Sequence, residues 1–170
     1  TPEEVADLIL YDDEVHPAGK REIAALLKRL GHSELKDMVD RDPGLKICAI
    51  AGNPCTHSKS PQIYNRLFAH FGMHYHYTYL EWPNVGEIIR LTSFLPVKGL
   101  SVTIPLKIDV MRYLDEVDSH ADAIGAVNTV VQCGGRLYGY NTDWLGVQIP
   151  LAHRRGARGV VLGAGGAAAA

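Results

Sequence analysis

Long hydrophobic runs are missing from this 170-residue chain. Its apolar stretches are short and interrupted, and none approaches the ~20 residues a helix needs to cross a bilayer. No charged-then-apolar leader opens it, so a soluble protein is expected. An excess of one charge is missing as well: 17 Lys and Arg stand against 19 Asp and Glu, and neither sign forms a block. That argues against a nucleic-acid arm, an acidic tail and a polyanionic partner. Cysteine is scarce and odd in number. Cys48, Cys55 and Cys133 lack metal-ligand spacing, and two of them lie in or beside apolar runs where a small buried thiol is the usual occupant. A reducing compartment fits this usage, the cytoplasm in general or a plastid in a plant. His74 and His76 alternate with tyrosines as a strand would, and no metal site is expected.

The length suits one ordinary domain with its own core. Thr1-Pro2-Glu3-Glu4 is written like a helix N-terminus. Ile23, Leu26, Leu27 and Leu30 suggest a second helix closed by Gly31. Residues 1–44 thus read as a helical preface or linker ending in the turn Asp42-Pro43-Gly44. From Leu45 strands and helices alternate. Strands are predicted over Leu45–Ala51, Tyr75–Leu80 and Gly99–Thr103. Helices are predicted around Ile63, Leu67, Phe68 and Phe71, over Val85–Leu91 and over Leu106–Leu114. Val127–Gln132 and Arg136–Tyr140 form a hairpin pattern around a Gly-containing loop, followed by a helix over Thr142–Ala152. The expected fold class is α/β: a mostly parallel sheet flanked by helices, with an antiparallel hairpin, in a domain spanning residues 45–152. Residues 153–170 add a buried-strand pattern, Gly159–Leu162, that runs into a Gly-rich turn, as a dinucleotide-binding domain begins.

Four constellations carry chemistry. In Gly52-Asn53-Pro54-Cys55-Thr56-His57-Ser58-Lys59-Ser60-Pro61 a strand gives way to a helix that Ser60 and Pro61 would cap and open. Ser58 and Ser60, two apart in extended chain, would point the same way and could both donate to one carboxylate; taken alone, the spacing favours a capping Ser60 and a solvated Ser58. In Leu100-Ser101-Val102-Thr103-Ile104-Pro105-Leu106-Lys107 a strand ends and a helix should open. That leaves Thr103 and Lys107 at the strand end where ligands of open sheets collect. A cation sits poorly with the dipole of a helix start, which hints at another reason for Lys107. In Gly125-Ala126-Val127-Asn128-Thr129 an amide sits within an apolar run and must find partners, either a hydroxylated ligand or neighbouring backbone. In Gly139-Tyr140-Asn141-Thr142-Asp143, Asp143 stands where a helix should start; taken alone it reads as an N-cap, yet its ionised carboxylate could still pair with a lysine. Last, Gly163-Ala164-Gly165-Gly166-Ala167-Ala168 follows the strand pattern and fits G-x-G-x-x-G/A, the turn that cradles a dinucleotide pyrophosphate.

Taken in order, HSKSP, SVTIPLK, GAVNT, GYNTD and GAGGAA resemble the shikimate dehydrogenase family over residues 45–170. The resemblance implies an N-terminal α/β domain that binds shikimate, a C-terminal Rossmann domain that binds NADP, and reaction in the cleft between them. It implies that Ser58 and Ser60 hold the substrate carboxylate, that Thr103, Asn128 and Asp143 surround the ring hydroxyls, and that Lys107 and Asp143 are the catalytic pair. Gly163, Ala164, Gly165, Gly166 and Ala167 would begin the cofactor site. The implied partners are shikimate and 3-dehydroshikimate, with fusion to an upstream pathway enzyme such as a dehydroquinate dehydratase as an option. The implied pathway is aromatic amino-acid (chorismate) biosynthesis.

Two departures stand out. Where the family usually has Asn before Val-Thr and His before the lysine, this chain has Ser101 and Leu106, and Leu106 is expected to remove a polar group beside the site. The family's remaining cofactor domain, with its late substrate-contacting Gln and Tyr, is not in this sequence, so the 170 residues are expected to be inactive alone. The alternatives are a quinate or mixed quinate/shikimate dehydrogenase, for which a threonine at the second serine would be more typical, and a non-catalytic organic-acid-binding module.

Overall fold

The computed structural model describes residues 25–154, together with residues 156, 158, 160, 161, 163 and 168. The helix start read at residues 1–4 lies outside the described residues. Residues 25–29 are helical and Gly31, with φ of 74°, turns the chain. Helix α1 (Ser33–Arg41) and strand β1 (Lys46–Gly52) follow. Next come α2 (Ser60–His70), β2 (Tyr75–Glu81), α3 (Val85–Thr92) and β3 (Val97–Val102). A 3-10 turn (Asp109–Tyr113) leads to the two-residue β4 (Glu116–Val117) and α4 (Ser119–Ile124). The hairpin of β5 (Thr129–Cys133) and β6 (Arg136–Tyr140) and helix α5 (Asp143–Leu151) complete the order.

The strands form one sheet in the order β2-β1-β3-β5-β6-β4. β1 runs parallel to both β2 and β3, and β4 runs parallel to β6, whereas β5 is antiparallel to β3 and to β6. The expected α/β class with an antiparallel hairpin is what forms. The hairpin is tight because Gly134 and Gly135 both take positive φ, 57° and 75°, between the paired Cys133 and Arg136; a two-residue loop with that backbone matches the strand twist and favours glycine.

Both faces of the sheet are covered. Ile47, Ala49 and Ala51 on alternate positions of β1 join the main core, with Ile88 and Leu91 of α3, Leu100 and Val102 of β3, and Val127 and Val130 near the hairpin. Ile50, on the opposite face, belongs to a second cluster with Cys55 and Tyr77, against which Cys48, Phe68 and Tyr79 pack. Burial pushes the Cys48 thiol up to about 11, and burial together with the charge of Glu81 pushes Cys55 up to about 11. The segment read as a preface also contributes, since Leu26, Leu27, Leu30 and Leu35 are buried in the main core.

Three local expectations are corrected. The residues after Pro105 do not form an α-helix: 104–108 make a turn and only a 3-10 helix follows. The carbonyl of Lys107, which an α-helix would offer to residue 111, instead accepts the Val127 N–H at 2.8 Å. Helix α2 exists, but Ile63, Leu67 and Phe71 are 55%, 43% and 68% exposed. The helix docks through Pro61, Tyr64, Asn65 and Phe68 instead. Tyr64 stacks on Tyr77 with centroids 4.7 Å apart. The Asn65 amide accepts from Tyr77 N at 2.7 Å and donates to Tyr77 O at 2.9 Å, which occupies the open edge of β2 where another chain would otherwise pair. Finally, of the strand read at 159–162, Gly159 and Leu162 lie outside the described residues, and Val160 and Val161 lie in no strand and are exposed; no neighbouring strand stands beside them among the described residues to supply a ladder. No helix among the described residues is long and apolar enough to cross a membrane.

Leu27 is fully buried, so Leu27→Ala should lower stability by about 2–5 kcal/mol in urea denaturation, despite lying upstream of the sheet. The raised thiols should also show in labelling: at pH 8, Cys48 and Cys55 should react with a disulfide reagent roughly a hundredfold more slowly than free cysteine. Their rates should then climb about tenfold per pH unit up to pH 10, as read by peptide mass mapping.

Candidate active site

The mixed topology gathers four chain segments at one end of the sheet, beyond the ends of its strands. Parallel β1 and β3 end there at Gly52 and Val102. β5 runs the other way and so begins there, with Thr129 opposite Ser101, and β6 ends there, with Tyr140 opposite Thr129. The loop 53–59, the turn 103–108, residue 128 and residues 141–143 are therefore neighbours. Gly52 makes the close approach feasible: a Cβ on it would lie 2.3 Å from Thr103 Cγ2 and 3.1 Å from the Ile104 carbonyl. Thr103, whose N–H donates to Ala51 O at 2.8 Å, thus sits between the serine loop and the lysine turn.

Lys107 Nζ donates to Asp143 Oδ2 at 2.5 Å, with the lysine side chain 15% and the aspartate 32% exposed. Leu106 places this lysine. Its side chain is 1% exposed in the main core, so it is a core anchor and not a missing polar group beside the site, as the sequence suggests; neighbours in a tight turn point opposite ways. Asp143 is not an N-cap. It is the first residue of α5, Thr142 occupies the cap position without a side-chain cap bond, and the Asp143 carboxylate faces Lys107 and Asn128.

Asn128 lies just before β5, and its amide is fully engaged within the chain. Nδ2 donates to Asp143 Oδ1 at 2.8 Å and to Thr142 Oγ1 at 3.0 Å; Oδ1 accepts from Thr142 N at 3.0 Å and Thr129 Oγ1 at 2.8 Å. The partners of this amide are therefore the start of α5 and its own neighbour, so no ligand is required to satisfy it. Asn141 does related work that sequence reasoning missed. It is 3% exposed, donates to Ala126 O at 2.9 Å and accepts from Asp143 N at 2.9 Å. An amide within the same short motif as the aspartate was the available signal.

The two serines do converge. Ser58 Oγ donates to Ser60 Oγ at 3.1 Å, and Ser60 N donates to Ser58 Oγ at 3.2 Å. Lys59, not Ser60, holds the cap position of α2, and its side chain makes no cap bond. Three residues of β2 reach toward this region: Tyr77 Oη donates to Ser101 Oγ at 2.7 Å, and Tyr79 Oη to Ser58 O at 2.9 Å. The Glu81 carboxylate accepts from Cys55 N at 2.6 Å and Thr56 N at 2.8 Å. Those two N–H donors hold the Glu81 carboxyl below its ordinary range, while burial pushes the Tyr77 phenol up to about 12. Sequence reading missed all three, although their spacing of two places them on one face of a strand.

Of the Gly-rich turn, Gly163 is described and has φ of 122°, a backbone that residues with a Cβ rarely adopt. Ala164, Gly165, Gly166 and Ala167 lie outside the described residues.

Residues 50–130 match the model of the shikimate dehydrogenase substrate binding domain. The NADP(+)-dependent shikimate dehydrogenase of Bacillus cytotoxicus is 43% identical over 132 residues, which cover 72% of this chain and 47% of the relative. Among solved structures, shikimate dehydrogenase 1 of Peptoclostridium difficile superposes with a TM-score of 0.68 at 33% identity, covering 74% of this chain and 48% of that one. The shikimate 5-dehydrogenase of Thermus thermophilus, solved with NADP(H) and shikimate, gives a TM-score of 0.63 at 34% identity over 74% of this chain and 49% of its own. The chain spans about half the length of the relatives it matches.

Asn128→Ala strips the start of α5 of two donors and an acceptor. It should cost about 1–3 kcal/mol in urea denaturation and should speed amide exchange at Thr142, whose N–H loses its acceptor.

Proposed function

We propose, from a chain whose residues 50–130 form a domain of the shikimate dehydrogenase substrate-binding family, that it is the substrate half of an NADP-dependent shikimate dehydrogenase. The reaction is the reversible reduction of 3-dehydroshikimate to shikimate in aromatic amino-acid biosynthesis. One observation carries the reading: Lys107 and Asp143, 36 residues apart in sequence, pair at 2.5 Å at the end of the sheet where the serine loop also lies.

The roles follow from the chemistry each group can do. Ser58 and Ser60 hydroxyls turn from one another to donate to the substrate carboxylate, and Thr103 contributes its hydroxyl between them and the lysine. NADP supplies the hydride when bound; the turn Gly163 to Ala167 would hold its pyrophosphate, and the positive φ of Gly163 suits such a turn. As the carbonyl carbon becomes tetrahedral, negative charge grows on its oxygen, and the Lys107 ammonium stabilises that charge and gives it a proton. Asp143 balances and orients the ammonium. Since the Asn128 amide is engaged in full, its part is to hold the Asp143 carboxylate and so the geometry of the pair. In the reverse direction the Lys107–Asp143 pair takes the hydroxyl proton, and any apparent pKa belongs to both residues together.

In the full-length protein containing this chain, Lys107→Ala should lower kcat at least about a hundredfold while the Kd for shikimate changes only a few-fold, because the ammonium acts most strongly as charge develops. Steady-state kinetics alongside calorimetric titration read both quantities; an unchanged kcat removes Lys107 from this role. Titrating the 170-residue chain with shikimate should shift the amide resonances of Ser58, Ser60 and Lys107. No response to shikimate at millimolar concentration would count against the whole reading.

A further inference from the structure

β2 is an edge strand, and its residues of one parity, Tyr77, Tyr79 and Glu81, face the second apolar cluster beneath the serine loop. That loop is gripped at both ends. At its start Cys55 is a buried plug whose thiol lies 3.6 Å from Ile50 O, and the backbone N–H groups of Cys55 and Thr56 both point at the Glu81 carboxylate. At its far end the carbonyl of Ser58 accepts the Tyr79 phenol. After these contacts the Ser58 hydroxyl oxygen accepts the Ser60 N–H at 3.2 Å and the two serine hydroxyls lie 3.1 Å apart.

A negative charge beside a loop that binds an anion is unfavourable for that anion, so a reason for placing a glutamate there has to outweigh the repulsion. The reason visible in the contacts is geometric. Charge-assisted bonds to two successive N–H groups are stronger than neutral ones and fix the peptide plane of the loop. They also occupy N–H groups that would otherwise offer an anion an alternative seat. The loop is thereby left with hydroxyl donors in one orientation.

We infer that Glu81 and Tyr79 are positioning residues for the carboxylate clamp: they touch the loop, not the ligand, and set the direction of the Ser58 and Ser60 hydroxyls. This inference rests on the substrate reading given above and extends it to two residues of the neighbouring strand. It differs from a purely structural role in one respect: the loss on substitution is confined to the carboxylate end of the ligand.

The experiment is a calorimetric titration of the chain and four variants with shikimate and, in parallel, with its methyl ester, which lacks the anionic carboxylate. Glu81→Ala should weaken binding of the acid about tenfold and Tyr79→Phe about three- to fivefold, with the ester changed less than twofold in each. Glu81→Gln, which keeps one acceptor oxygen, should recover part of the loss. Ser58→Ala is the reference and should also weaken the acid selectively. Selective loss in Ser58→Ala without loss in Glu81→Ala or Tyr79→Phe overturns the positioning role and leaves the clamp standing. No loss in Ser58→Ala overturns the clamp, and this inference with it. Equal loss for acid and ester in both β2 variants overturns the inference in favour of a general contribution to the fold. If Glu81→Ala does not fold, Tyr79→Phe, which deletes a single hydroxyl, decides alone.

Discussion

A half-buried ammonium, Lys107 Nζ, held 2.5 Å from Asp143 Oδ2 is the interaction on which the rest of this molecule's chemistry depends. Such a pair is poorly stabilised by Coulomb attraction alone, because taking both charges partly out of water costs about as much as their attraction returns. Its persistence here follows from what surrounds it. Leu106 fixes the lysine turn in the core, Val127 N–H takes the lysine carbonyl, and Asn128 and Asn141 clamp the aspartate from side chain and backbone. Each polar group brought in to hold the pair is itself satisfied, which is the condition for a buried polar network to rigidify rather than destabilise.

The mixed sheet makes the meeting geometrically cheap. Were β5 parallel to β3, residue 128 would lie at the far end of the sheet from Lys107. Because β5 is antiparallel, its start and the end of β6 return to the end of the sheet where β1 and β3 finish. The hairpin is therefore the element that turns an ordinary α/β layer into a site, and two glycines with positive φ set its tight reversal. The serine loop obeys the same logic on the neighbouring side, where an edge strand contributes a tyrosine and a glutamate to hold backbone groups that no ladder satisfies.

Much of this was legible in the residues. The alternation of strand and helix patterns from Leu45 and the Gly-Gly reversal follow from local periodicity and turn chemistry, which act within a few residues; Ser58 and Ser60 meet through a helical turn at Lys59 and not through extended chain. The misreadings share one cause. Asp143 reads like a cap and Leu106 like a gap in a polar site, and for Asn128 a ligand and neighbouring backbone are equally open; each judgement depends on what stands opposite in space. Helix α2 shows the same limit, since its apolar stripe at Ile63, Leu67 and Phe71 faces outward while Asn65 and Tyr64 make the docking contacts. Within the segment read as a helical preface or linker, Leu26, Leu27, Leu30 and Leu35 pack into the main core, a contact that the helical period alone leaves open.

By itself, then, the sequence determined the α/β class, the order of the elements and the residue types set out at the strand ends, because dihedral preference, hydrophobic period and turn geometry are properties of short stretches. Tertiary structure alone decided which polar groups are satisfied and by whom: that Asn128 serves Asp143, that Leu106 points inward, and that Glu81 holds the backbone of a loop 25 residues before it. Those outcomes turn on strand order and on distances between remote segments, which no local pattern encodes.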